Sequence, residues 1–216
     1  SNLLHLAMRI KTILILLLTF ISLSAQVTDR DLLDAYHRED MSIWKEYIDR
    51  LHLTEYRPAT PDRVQTDLLY EYGYCGYIVA EAKKAGKESL LPEAKRYVKQ
   101  YKQHVEALKN QLPKGHYEMH QSAVYVYELR LHGSIHPFNA MSLAKEATKL
   151  APNDPLVLSY YGTCLFYSPK PFGSKSDALK WFEKAQPLFG DEQYTYCWVR
   201  KANEMYIQQC HDKLKK

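Results

Sequence analysis

The sequence predicts an all-α protein built from antiparallel helical hairpins, and three observations carry that reading. Apolar residues recur at steps of three and four through most of the chain. No segment sustains the period-two alternation of a half-buried strand. In the second half, a block of small and large residues recurs at similar offsets. The 216-residue length suffices for a real core in one or two domains. Hydrophobic residues at 46% and charged residues at 25% are ordinary for a globular chain. With only 8 Gly and 10 Pro, collagen-like and low-complexity chains are excluded. The formal charge of +4 is too weak a basic bias to imply a nucleic-acid partner. Tyr is conspicuous at 18 residues.

Residues 1–25 read as separate from the fold. Met8 looks like the start, preceded by upstream residues. Arg9 and Lys11 are followed by an apolar run from Ile13 through Leu23, and Ser22, Ser24 and Ala25 supply small residues before Gln26. That order is a secretory signal peptide, expected to be cleaved after Ala25. The run is short for a bilayer span, so an uncleaved membrane anchor is the alternative, and membrane contact is expected only in that case. No Cys lies near the cleavage point, which argues against a bacterial lipoprotein. The expected location is therefore outside the cytoplasm, periplasmic or secreted. Cys75, Cys164, Cys197 and Cys210 lack CxxC spacing; buried free thiols or one disulfide both fit.

Residues 26–216 read as one helical domain. Asp29 is placed to cap a first short helix ending near His37. Asp40 or Ser42 starts the next, where Met41, Trp44, Ile48 and Leu51 form one stripe. Pro58 and Pro61 mark a connection, and a long apolar helix follows over 61–84, with Gly86 after it. Gly73 and Gly76 inside that helix point to close helix packing. Ala94, Val98, Tyr101, Val105, Leu108 and Leu112 recur at helical steps until Pro113 and Gly115 break the pattern. The segment 26–115 is thus a set of helices without a repeat signature.

The second half is patterned more strongly. Ala140, Ala144 and Ala147 lead into Pro152, and Ala178, Phe182 and Ala185 sit at nearly the same offsets. Counting from Gln121, Val124, Tyr127, Leu131, Ala140, Ala147 and Pro152 match the 34-residue pattern of the tetratricopeptide repeat (TPR); Glu128 and Ala144 depart from it. Counting from Pro155, Leu158, Tyr161, Gly162 and Leu165 match. Ala178, Phe182 and Ala185 then match after a four-residue insertion around 168–173. The segment 116–191 thus resembles TPR hairpins, with a capping helix and basic tail over 192–216. An ordinary helical bundle with one repeat-like hairpin is the alternative.

The resemblance implies a short right-handed solenoid and a non-enzymatic role, with a protein or extended peptide held in a concave groove. Its groove positions fall here on Ser122, Tyr125, Leu129 and His132, on Leu156, Ser159, Thr163 and Phe166, and on Tyr194, Cys197 and Lys201. Tyr125 and Phe166 are the expected anchors, able to lose their rings without unfolding the chain. The set lacks the basic cluster with which some family members clamp a C-terminal carboxylate. No cofactor or metal is expected. The rival reading is a metal-dependent hydrolase using His116 and His120, spaced i, i+4 on one helix face, with a distant carboxylate; His132 and His136 flank Gly133, where the helix should end. A third is a purely structural subunit of an envelope complex. Tyr70, Tyr74 and Tyr77 form another stripe, expected to be core.

Overall fold

The computed structural model describes residues 27–53, 60–133 and 137–215. The signal segment, Pro58, His136 and Lys216 lie outside them. Among the described residues the chain is all-helical: α1 (Asp29–His37), α2 (Met41–Leu53), α3 (Pro61–Ala82), α4 (Leu91–Leu108), α5 (His116–His132), α6 (Pro137–Leu150), α7 (Pro155–Tyr167), α8 (Lys175–Ala185) and α9 (Trp198–Leu214). No described helix is long and apolar enough to cross a membrane. All four cysteines are free, with Cys75 and Cys210 buried.

The helices pack as sequential pairs. α3 lies on α4, α5 on α6, α7 on α8, and α9 on α8. Alternate helices also meet in series: α3 touches α5, α5 touches α7, and α7 touches α9. These four form one layer, which positions the cavity described below. Short α1 and α2 attach to α3 through an aromatic and ionic seam. Trp44 Nε1 donates to the Leu32 carbonyl at 2.7 Å. Arg63 on α3 reaches Asp29 at 3.0 Å and Asp67 at 2.6 Å, and Tyr70 donates to Asp29 at 3.0 Å.

Close approach is set by small residues opposite rings. At Gly162 a Cβ would lie 2.8 Å from the Phe182 ring, so the α7–α8 pair closes only because that side chain is absent. Gly73 plays the same part on α3, where a Cβ would sit 2.7 Å from Trp44 and 2.8 Å from Trp198. Trp198 thereby joins the last helix to the first elements, with ring centroids 5.5 Å from Trp44 and 5.6 Å from Tyr36. Tyr70 and Tyr74 are buried in this core as expected, but Tyr77 is exposed, not core.

Several boundaries differ from expectation, each for a local reason. Thr28 rather than Asp29 caps α1: its side chain accepts from the Asp31 N–H, and Asp31 accepts in return from the Thr28 N–H. This is the reciprocal capping box, and Thr28→Ala is expected to cost about 1 kcal/mol in a chemical denaturation experiment. α3 ends at Ala82 instead of 84, with Lys83 as its C-cap. α4 stops at Leu108 and passes into a 3₁₀ turn, Lys109–Gln111, before Leu112 goes extended ahead of Pro113. The last helix starts at Trp198 instead of Glu192. Two 3₁₀ turns, Gln186–Gly190 and Glu192–Tyr194, take up the intervening chain. The insertion expected at 168–173 is a connecting loop, and Ser174 caps the following helix.

Candidate functional site

A half-open cavity of about 900 Å³ lies along the layer formed by α3, α5, α7 and α9. Small residues contribute to its lining, Gly73 and Gly76 on α3, Ala123 on α5 and Ala202 on α9. Aromatic side chains wall it: Tyr36, Tyr72, Tyr160, Tyr167, Trp198 and Tyr206. Helical spacing explains the supply, since Met119, Ala123, Val126 and Arg130 follow one face of α5, and Leu156, Ser159, Thr163 and Tyr167 one face of α7.

The walls are held from behind. Tyr127 donates to the Tyr72 carbonyl at 2.8 Å, tying α5 to α3. Ser122 donates to the Ala140 carbonyl at 2.6 Å and pairs with the Tyr160 hydroxyl at 2.8 Å, tying α5 to α6 and α7. The lining is electrically quiet. Burial pushes the Tyr36, Tyr72 and Tyr206 hydroxyls above the ordinary phenol range. The Cys164 thiol is pushed up to about 11 by burial. Among the described lining residues Arg130 is the one ionised side chain and none is a carboxylate.

Of the groove positions expected from the repeat register, Leu129, Leu156, Ser159 and Thr163 line this cavity. The others do not. Tyr125 is half-buried outside it, His132 is exposed at the end of α5, and Ser122 is fully buried behind the wall. Phe166 is 4% exposed and turned into the α7–α9 contact. Its ring lies 5.1 Å from Tyr206 and 3.4 Å from the Lys175 ammonium. Phe166 is therefore a packing residue, and truncating it would disturb that contact as well as any groove. Tyr194 sits in a 3₁₀ turn before α9 and lines a smaller, separate pocket of about 360 Å³. Cys197 is the N-cap position of α9, and Lys201 lies 3.5 Å from Glu204.

The aromatic wall lies outside the positions that the repeat pattern marks. Tyr72, Trp198 and Tyr206 come from segments with no alignable repeat, so no register pointed to them. The shift on α5 has a physical source: the register was counted from Gln121, whereas α5 begins at His116 and its Ser122 faces neighbouring helices.

His116 and His120 share one face of α5, with ring centroids 6.4 Å apart, and both are fully buried. His116 Nε2 is 2.7 Å from Asp154 Oδ2, and His120 Nδ1 is 2.5 Å from the Tyr101 hydroxyl. Burial, with His116 nearby, lowers His120 to about 3. Burial is the largest influence on Asp154 and works against ionising it, but the hydrogen bond and charge of His116 together with the Val157 and Leu156 N–H groups outweigh it and hold the carboxyl below its usual range. Among the described residues no group of three or more His, Cys, Asp or Glu is arranged to hold a metal ion.

No family model, curated protein or solved structure matches this chain.

Proposed function

We propose that this chain is a non-enzymatic peptide-binding scaffold with TPR-like stacking of its hairpins, exported to the bacterial cell envelope. The observation that carries the reading is the cavity of about 900 Å³ on the alternate-helix layer, the face that repeat proteins of this kind offer to a partner. Its volume falls within the range of about 300–1,000 Å³ typical of ligand sites, and its apolar lining with scattered hydroxyls suits side chains of an extended peptide. The export part rests on the sequence of residues 8–25 alone. The rival metal-hydrolase reading draws no support from His116 and His120, whose side chains are sealed from substrate.

The test is selection of peptides from a displayed library on the mature chain, followed by affinity measurement on Thr163→Trp. Thr163 lines the cavity at half-buried depth, so an indole there fills the space a bound side chain would take. The expected result is a dissociation constant at least about tenfold weaker, equivalent to about 1.4 kcal/mol, with an unchanged melting temperature. Selected peptides that bind the Trp variant as well as the parent would move the binding surface elsewhere. A library that yields no binder would favour the purely structural role.

A further inference from the structure

The buried histidine pair leaves two nitrogens without a hydrogen-bond partner, His116 Nδ1 and His120 Nε2, and both side chains are completely buried. Such groups are costly when left alone. Their protonation follows from their partners. A phenol at neutral pH carries its proton, and Tyr101 has His120 Nδ1 as its partner at 2.5 Å. If Tyr101 donates, one orphan remains, the His120 Nε2–H. If instead His120 donated to Tyr101, both the phenol proton and Nε2 would be orphaned. On the other ring, the Asp154 carboxylate accepts only, so His116 Nε2 carries a proton, and in the neutral imidazole Nδ1 offers a lone pair. The pair thus presents one orphan donor and one orphan acceptor, on rings 6.4 Å apart centre to centre.

The spacing selects what joins them. Each ring nitrogen lies about 1.1 Å from its ring centre, so the two orphans are at least about 4.2 Å apart, beyond the roughly 3 Å of a direct hydrogen bond. A zinc ion with nitrogen ligands at about 2.1 Å would need them at about 3.4 Å in a tetrahedral site, and would need a lone pair where His120 holds its proton. One water molecule, accepting from His120 and donating to His116 through bonds of about 2.8 Å, bridges nitrogens up to about 5.6 Å apart, a separation that the ring spacing allows.

We infer that a single internal water binds between His120 Nε2–H and His116 Nδ1, completing a hydrogen-bonded relay Tyr101–His120–water–His116–Asp154. The relay joins α4, α5 and the N-terminus of α7. It ends at Asp154, whose other oxygen accepts from the Leu156 and Val157 N–H groups and which lines the smaller surface pocket. It gives the i, i+4 pair a role as a solvent site rather than a metal site, and it is independent of whether the large cavity binds a peptide.

Long-range ¹H–¹⁵N correlation spectra of the full chain, with water-to-imidazole Overhauser contacts, test this. Both histidines should show the Nε2–H tautomer at neutral pH, with a contact from a long-lived water to the pair. Added Zn²⁺ should leave both signals in place. Tyr101→Phe should shift the His120 tautomer ratio by about tenfold, the worth of one lost buried hydrogen bond. An Nδ1–H tautomer at His120 in the parent, a missing water contact, or signals moved by stoichiometric Zn²⁺ would each overturn the relay. The parent spectrum decides the question even if the Phe variant fails to fold.

Discussion

Phe182→Ala is expected to lower the stability of the chain by about 3–5 kcal/mol. The ring is fully buried, stacks on Tyr206 with centroids 5.1 Å apart and planes 6° from parallel, and fills the space that Gly162 leaves open. The main chain of α7 comes close to that ring, so backbone would have to move before the hole could collapse. The cost therefore belongs at the upper end of the range. Denaturant unfolding followed by circular dichroism measures it, read from the midpoint at constant slope. A loss below about 1.5 kcal/mol would mean that α8 repacks freely and that the Gly162–Phe182 contact does not set the hairpin spacing.

Acid is expected to destabilise the fold through His120 by about 3 kcal/mol between pH 6.5 and pH 4.3. The sign follows from where the proton binds. In the unfolded chain His120 titrates at its ordinary value, about 6.5. In the native state burial first, and His116 second, hold it down to about 3. Between those values the unfolded chain carries a proton that the native chain refuses. Stability is thus complete above about pH 6.5 and falls by about 1.4 kcal/mol per unit as pH drops toward the native value. Asp154 acts in the same direction at lower pH, because its native value lies below its ordinary one. Tyr101 and His116 are the titratable neighbours that hydrogen-bond or face the ring, and neither offers a negative charge to offset the proton. Urea midpoints at pH 7, 6, 5 and 4.5 give the slope. In His120→Gln that slope should fall by one proton equivalent between pH 6 and 5. An unchanged slope would show that His120 takes up its proton without unfolding.

The helices were legible because their signals are local. Steps of three and four at Ala94, Val98, Tyr101 and Val105 all became buried positions on α4. The Ala-rich faces at Ala144, Ala147, Ala178 and Ala185 did too, since small residues at those spacings serve only close helix contact. Ends were harder wherever tertiary contacts choose them. Trp198 begins α9 where its indole reaches Tyr36, Trp44 and Tyr72, a meeting no local pattern announces. The candidate site was half legible for the same reason. Ser159 and Thr163 followed from counting along one helix, whereas the facing wall comes from α3 and α9, distant in sequence. Burial of His116 and His120 was invisible because i, i+4 spacing fixes a shared face and says nothing of what covers it.

Trp198 also bears on how the chain folds. An open stack of hairpins is assembled from neighbours, so each pair of helices can form before the next exists. Here the first helices and the last meet through one indole, across most of the chain length. That contact closes a loop spanning most of the chain, so its entropy cost is least once the helices between are ordered, and it is expected to form late. The expected behaviour is a single cooperative unit with a slow final step. Trimming α9 away should therefore loosen the N-terminal helices as well, although they lie at the opposite end of the sequence.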